Sequence, residues 1–158
     1  MPRSRLKIAL IFLLAFLLAA CSATGEKFSR LKIPNSSVGA LYVYRLPNFA
    51  GGGNAPLLFI DGNDQGSLKN AGYIRKELAV GRHVIELRNG SILSNMKPLT
   101  FDLTVEGGTT YFLRYTIEHR GSQHIFGSTA FIHDFYRSFE LIERDAALVE
   151  LKDTNEIK

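Results

Sequence analysis

The sequence predicts a mainly β protein, an antiparallel β-sandwich followed by a short C-terminal helix. Three observations support this fold class. Short runs of alternating apolar and polar residues recur along the chain, glycine-containing turns separate them, and the composition, with 11 Phe and 6 Tyr, is rich in strand formers. Many short strands joined by such turns are typical of two packed antiparallel sheets.

The first strands follow from alternation and turn chemistry. Residues 39–46 alternate with the strand period, and Arg45 near the end of this run indicates a strand that emerges towards solvent. Leu57–Ile60 is a short apolar strand, and the Asp61-Gly62 pair after it predicts a tight hairpin turn into residues 65–68.

The later strands are predicted in the same way. Residues 73–80 and 83–88 flank a turn at Gly81. Leu99–Val105 has the cleanest alternation, with its odd-numbered residues directed inwards, and Gly107-Gly108 turns the chain into a strand over residues 110–117.

The segment from Phe131 to Phe139 fits two structures. Phe131, Phe135 and Phe139 recur every four residues, as on a helix, but the same residues also share one face of a strand. Periodicity does not decide between them. Residues 139–142 are predicted as strand and residues 144–152 as a helix, with Asp145 as a candidate N-cap.

The N-terminus has the three parts of a secretory signal peptide. Basic residues come first, an uninterrupted apolar run covers residues 8–18, and small residues then precede a cysteine; the residues outside the run are Arg3, Arg5, Lys7, Ala19, Ala20 and Cys21. The run is shorter than the ~20 residues that span a bilayer core, so a transmembrane helix is the weaker interpretation.

Leu18-Ala19-Ala20-Cys21 resembles the lipobox of bacterial lipoproteins. The resemblance implies that a signal peptidase recognises the first three of these residues and removes residues 1–20. It further implies diacylglycerol on the Cys21 sulfur and another acyl chain, of the palmitate type, on its amine, an arrangement that anchors a protein stably. Ser22 implies the outer membrane, periplasmic face, in enterobacteria-like cells. The expected primary partner is therefore the membrane.

Composition narrows the function classes. Removing the first 20 of the 158 residues leaves 138, a normal size for one domain. Three of the 19 Lys and Arg go with them, so 16 remain against 15 Asp and Glu, and no nucleic-acid partner is expected. Cys21 is the only cysteine, and once acylated it supplies no thiol. We expect no cofactor beyond the covalent lipid.

The predicted organisation has four parts. Residues 1–20 are the cleaved signal peptide, 21–38 a polar lipid-anchored tether, 39–152 the β-sandwich domain and 153–158 a tail. The tether prediction depends on the polar composition of this segment, on Pro34 and on the polar residues 35–37 that follow it.

Several features together resemble a family of uncharacterised small bacterial lipoproteins with a prealbumin-like or PEGA-like β-sandwich. They are Ala40-Leu-Tyr-Val-Tyr-Arg45, the Ile60-Asp61-Gly62 turn, Gly66-Ser-Leu68, Tyr73, Leu78 and Gly81-Arg82-His83. The resemblance covers residues 39–151 and implies the fold. It implies no catalytic residue, because the motif residues belong to turns and strands.

Two constellations were weighed as enzyme or metal sites. His119, His124 and His133 lie in one segment, but their spacing is irregular, and surface histidines are the preferred interpretation. Ser, His and Asp are present without a Gly-x-Ser-x-Gly elbow. We therefore expect no metal site and no enzyme activity.

Two loops are candidate contact surfaces, since loops carry most binding functions on β scaffolds. One contains Gly51, Gly52, Gly53 and Asn54, without the Lys-Ser/Thr of a phosphate-binding loop. The other runs from Asn89 to Pro98 and contains Asn95. Aromatic residues from Phe126 to Phe139 belong to the core or form an exposed apolar patch.

The sequence thus favours a lipid-anchored, non-enzymatic interaction or structural module of the cell envelope, with an unknown envelope protein, glycan or lipid as partner. The alternative is a carrier of an apolar ligand or lipid held in a Phe- and Tyr-lined cavity between the sheets.

Overall fold

Nine strands and one helix lie in the part of the chain that the structure describes. The computed structural model describes residues 23–49, 53–89, 96–124, 126 and 131–157, without the side chains of 131–134. The elements are β1 Val38–Arg45, β2 Leu57–Ile60, β3 Asn63–Ser67, β4 Gly72–Ala79, β5 Gly81–Arg88, β6 Leu99–Val105, β7 Thr110–His124, β8 Phe131–Leu141, α1 Arg144–Leu151 and β9 Asn155–Glu156.

The strands form two sheets. One has the order β8-β7-β1-β4-β9 and the other β3-β2-β5-β6. Most neighbours are antiparallel, while β1 pairs with β7, and β4 with β9, in parallel. The prediction of a mainly β sandwich with a short C-terminal helix is confirmed.

The five-stranded sheet is covered on both faces, which explains why β1 is buried along nearly its whole length. Its inner face packs on the second sheet through Leu41 and Val43, which belong to one apolar cluster shared by the two sheets. Its outer face carries Tyr42 and Tyr44, which belong to a second, aromatic cluster beneath α1. Alternate side chains of β1 therefore pack into two different apolar clusters, one on each face of the sheet.

The helix is held on the outer face by an ionic network. Glu150 accepts hydrogen bonds from the Tyr44 hydroxyl and from Arg114, and Arg114 also donates to Glu140. Asp145, predicted as the N-cap, lies instead in the first turn, where a negative charge favours the helix dipole. Glu143 occupies the N-cap position without a side-chain hydrogen bond.

Residues 23–37 form a strap across the outer face, which corrects the predicted tether over its described length. The Phe28 ring is buried and meets the rings of Tyr42 and Tyr73 edge-on, at 6.1 and 5.7 Å between centroids. Its backbone N–H donates to the Thr154 carbonyl over 3.0 Å. The aromatic outer face needs an apolar cover, and Phe28 supplies part of it.

The predicted tail also belongs to the fold. Asn155–Glu156 adds β9 to the edge of β4, with Asn155 opposite Gly72. The Glu156 N–H donates to the Glu26 carbonyl over 2.8 Å, so β9 lies between β4 and the strap. Two residues are too few to produce a sequence period, which is why this strand was not predicted.

The ambiguous aromatic segment is a strand. β8 pairs with β7 from Leu113↔Leu141 to His124↔Phe131, and Phe135 and Phe139 pack against the inner cluster. Tyr136, on the other face, is exposed. The segment was expected to belong either to the core or to an exposed patch. Phe135 and Phe139 lie in the core, whereas Tyr136 lies at the surface.

A two-stranded ribbon extends past the rest of the five-stranded sheet. The pairing of β1 with β7 ends at Tyr44↔Arg114, whereas β7 continues to His124, seven residues beyond the predicted end of this strand. We call residues 118–124, paired with 131–136, the β7–β8 ribbon. Its length is about 20 Å at ~3.3 Å per residue. The Arg120 guanidinium lies 3.9 Å over the Tyr136 ring and links its two strands.

Candidate functional site

The described parts of both predicted contact loops lie at one end of the sandwich. β1 ends there at Arg45, opposite the start of β4 at Gly72, and β5 ends there at Arg88, opposite the start of β2. We call this end, with the described residues 46–49, 53–56, 68–71, 89 and 96–98, the loop end. The β7–β8 ribbon extends in the same direction, since β7 runs parallel to β1.

The two loops contact each other. The Asn54 side-chain amide donates to the Asn89 side-chain carbonyl over 3.2 Å, and both residues are half-buried, while Gly53 is exposed. Gly51, Gly52 and Asn95 lie outside the described residues, as do the residues of the predicted lipobox, Leu18, Ala19, Ala20 and Cys21. The structure therefore joins the described members of the two loops into one surface.

Arg45 fixes the first loop from inside the protein, which corrects the expectation that it points to solvent. Its side chain is 1% exposed, donates from Nη1 to the Asn54 carbonyl and lies 5.8 Å from the Tyr115 ring centre. Arg45 shares its strand face with Leu41 and Val43, so alternation directs it inwards. Burial lowers the pKa of Arg45 and raises that of the Tyr115 hydroxyl.

Arg137 fixes the second loop in a similar way. Its Nη2 donates to the Lys97 carbonyl over 2.7 Å, and the Arg137 cation interacts with Tyr115. Each loop therefore receives a hydrogen bond from an arginine next to Tyr115. These bonds hold the backbone in place at Asn54 and at Lys97, and a fixed backbone on a sheet scaffold is suited to recognition.

Ala23 is fixed at the loop end as well. It is 5% exposed, its N–H donates to the Asn70 carbonyl over 3.0 Å, and its carbonyl accepts from the Asn155 side chain over 2.9 Å. Gly72 permits this approach, because a Cβ atom there would lie 2.9 Å from the Cβ of Ala23. No sequence period marks an isolated alanine, so this docking was not predicted.

The loop end carries exposed apolar and basic side chains. Phe49 is fully exposed, and its neighbour Asn48 donates its backbone N–H to the Asn70 side chain over 3.1 Å, next to the Ala23 site. Phe126, beyond the end of β7, is also fully exposed. Lys97 is exposed and Lys69 half-buried on the same end. Sequence reasoning selected the glycine and asparagine residues here and missed Phe49.

The histidines weighed as metal ligands are on the ribbon. His119 and His124 are exposed, and the His119 ring lies 3.0 Å from the Ser122 hydroxyl. His133 pairs with Ser122 in the strand register, and its side chain is not among those that the structure describes. Within the described part of the chain no three metal-binding side chains converge.

The Asp61-Gly62 turn forms as predicted, and it is tied to the next hairpin. Asp61 and Gly62 have positive φ angles of 51° and 79°, as a tight hairpin turn requires. The Asp61 carboxylate accepts from the Val84 N–H over 2.9 Å and lies 2.6 Å from His83 Nδ1. These motif residues have a structural role, away from the loop end.

His83 has a hydrogen-bond acceptor beside each ring nitrogen. Its Nε2 lies 2.8 Å from the Ala79 carbonyl and its Nδ1 2.6 Å from the Asp61 carboxylate, and these contacts favour the protonated ring. Partial burial opposes the charge, but the bonds to Asp61 and Ala79 raise the pKa of His83 above its usual value. The Val84 and His83 bonds lower the pKa of Asp61.

This pair predicts a pH dependence of stability. The raised pKa of His83 stabilises the fold fully below about pH 6.5, and this stabilisation is lost as the pH rises through the pKa of the folded state. The lowered pKa of Asp61 stabilises the fold above about pH 4. Urea unfolding should show about 0.2–1 kcal/mol more stability at pH 6 than at pH 9, as for an exposed pair. H83Q should remove this difference, and an unchanged difference in H83Q contradicts the prediction.

The fold and the loop end define a class, small β domains that present loops from one end of a two-sheet scaffold. Residues 35–130, which contain β1 to β7, match the family described as protein of unknown function (DUF2846). The match covers more than half of the chain, so the protein belongs to this family. No curated protein and no solved structure matches the chain. Among the described residues, no helix is long and apolar enough to span a bilayer.

Proposed function

We propose that this protein is a lipid-anchored, non-enzymatic module of the bacterial cell envelope with an interaction or structural role. The observation that carries the proposal is Leu18-Ala19-Ala20-Cys21 directly after the apolar run of residues 8–18. Acylation of Cys21 would give the domain a stable membrane anchor. Ser22 supports the outer membrane, periplasmic face, as its location.

The interior supports an interaction role over the carrier alternative. The space between the sheets is occupied by one apolar cluster, in which Leu58, Leu87 and Leu113 are fully buried. Two notches of about 290 and 320 Å³ lie at the surface, one beside Pro47 and the other beside Ile33. A ligand of drug size needs a concave site that buries most of its surface. The loop end, where arginines hold the backbone at Asn54 and Lys97, is the better candidate for contact.

We also propose that the sandwich is of the prealbumin-like or PEGA-like kind. The two-sheet architecture and the Asp61-Gly62 turn support this relation. An experimentally determined structure of the mature protein, compared with members of those folds, tests it. A strand order that cannot be superposed on theirs would reject the relation while leaving the sandwich itself unchanged.

The substitution C21S tests the anchor. We expect C21S to abolish incorporation of an alkyne-labelled fatty acid and to move the protein from the membrane to the soluble or unprocessed fraction, because the acyl chains supply the attachment. A matched control, S22A, should keep label and membrane attachment. Normal processing and membrane binding of C21S would overturn the proposal.

The interaction role needs a separate experiment. Pull-down from detergent-solubilised envelopes with the acylated protein should recover a protein, glycan or lipid reproducibly. The variant E77A, whose substitution on β4 lies away from the loop end, serves as a control bait and should recover the same component. Failure to recover any component above the level of an unrelated lipoprotein would count against an interaction role, and C21S would still report separately on the anchor.

A further inference from the structure

The distance between the proposed lipid and the folded domain is short. Ala23 is fixed by Asn70 and Asn155, so Ser22 alone separates it from Cys21. Consecutive Cα atoms are 3.8 Å apart, so Cys21 is held within about 8 Å of the docked residue. An anchor on so short a link keeps the loop end at the bilayer, instead of allowing the domain to stand away from it.

We infer that the loop end is the membrane-facing surface of the protein, with Phe49 and Phe126 placed among the lipid headgroups. The inference names the lipid bilayer as the occupant of this surface and rests on the proposed acylation of Cys21. The two loops were predicted to contact an envelope partner. Under this inference they face the membrane that holds the anchor.

Phe49 is placed for such a contact. It is fully exposed, although a side chain of its size gains most from leaving water. Asn48, next to it, and Ala23 both hydrogen-bond to Asn70, so Phe49 lies beside the point where the lipid-bearing chain leaves the fold. Phenylalanine is among the side chains that interfacial helices bury at the boundary between headgroups and acyl chains.

The β7–β8 ribbon reaches the same surface. It extends about 20 Å past Ile117 in the direction of the loop end, which exceeds the link to Cys21. With the anchor so close, the ribbon has to lie on the bilayer or enter it. Exposed Arg120 supplies positive charge for headgroup phosphates, the exposed rings of His119 and His124 supply hydrogen-bonding groups, and exposed Phe126 supplies an apolar contact.

The absence of tryptophan from the sequence makes the inference testable with single-tryptophan variants. F49W and F126W report on the loop end, and V80W, at an exposed apolar position between β4 and β5, reports on the opposite end. Each acylated, full-length mature protein is reconstituted in vesicles of phosphatidylethanolamine and phosphatidylglycerol, with brominated phosphatidylcholine as quencher.

Brominated lipid should quench F49W and F126W and shift their emission to the blue, and it should leave V80W unchanged. Flotation with the vesicles is measured first, because protein that does not float shows that the anchor itself has failed. In vesicles that carry the protein, an unquenched F49W or F126W overturns the membrane-facing assignment, as does V80W quenching equal to theirs. Near-ultraviolet circular dichroism checks that each variant is folded.

Discussion

Replacing Tyr42 with alanine is expected to lower the free energy of unfolding of the domain by about 3–5 kcal/mol, the usual cost of truncating a buried aromatic residue. Tyr42 is 1% exposed and stands at the centre of the outer cluster. Its ring lies 5.5 Å from that of Phe112, 5.9 Å from Tyr73 and 6.1 Å from Phe28. The substitution therefore leaves a cavity under the strap and removes three aromatic contacts together.

Urea unfolding of a soluble domain that begins at Ser22 measures the effect. The control is Y42F, which keeps the ring and removes the hydroxyl that accepts a hydrogen bond from the Lys32 N–H over 3.2 Å. We expect Y42F to cost about 1 kcal/mol, as for one hydrogen bond. A loss below about 1 kcal/mol in Y42A would mean that the strap does not pack on the sheet, since truncation in a packed core costs more than this.

Replacing Arg45 with alanine is expected to cost about 2–4 kcal/mol. Hydrogen bonds from charged donors contribute about 1.5–3 kcal/mol, and the truncation also leaves a cavity beside Tyr115. The Asn54 carbonyl would lose the donor that fixes the first contact loop. We therefore expect amide hydrogen exchange to become faster in the residues before and at the start of β2.

The substitution R45M separates loop anchoring from packing. Methionine fills much of the space without a buried charge, and removal of such a charge regains its desolvation cost. We expect R45M to lose less stability than R45A and to show the same faster exchange near Asn54. Unchanged exchange in both variants would show that Arg45 does not hold the loop.

Residues with a clear period or turn chemistry were predictable. Leu57–Ile60 and Leu99–Val105 have the predicted bounds, and Asp61-Gly62 forms the predicted turn. Each of these signals is local, so a few neighbouring residues suffice to produce it. The strap and β9 have no such signal, because their positions depend on an aromatic face built from strands far away in the sequence.

The candidate site was predictable only in part. The glycine and asparagine composition identified both loops, but it gave no indication that they meet through Asn54 and Asn89. Arg45 was misjudged because its charge was weighed above its position in the alternation, and a buried hydrogen bond offsets the cost of burying that charge. The exposure of Phe49 depends on how the loop leaves β1, which no local pattern specifies.

The strap also determines how the protein responds to mechanical load. A load applied through the proposed lipid anchor would act first on Ala23 and then on the contacts of Glu26, Lys27 and Phe28 with residues 154–156, before it reached the inter-sheet core. Peeling of the whole strap would expose Phe28 and release 15 residues, or about 50 Å of extended chain at ~3.4 Å per residue. The strap would therefore be the first part of the domain to yield to such a load.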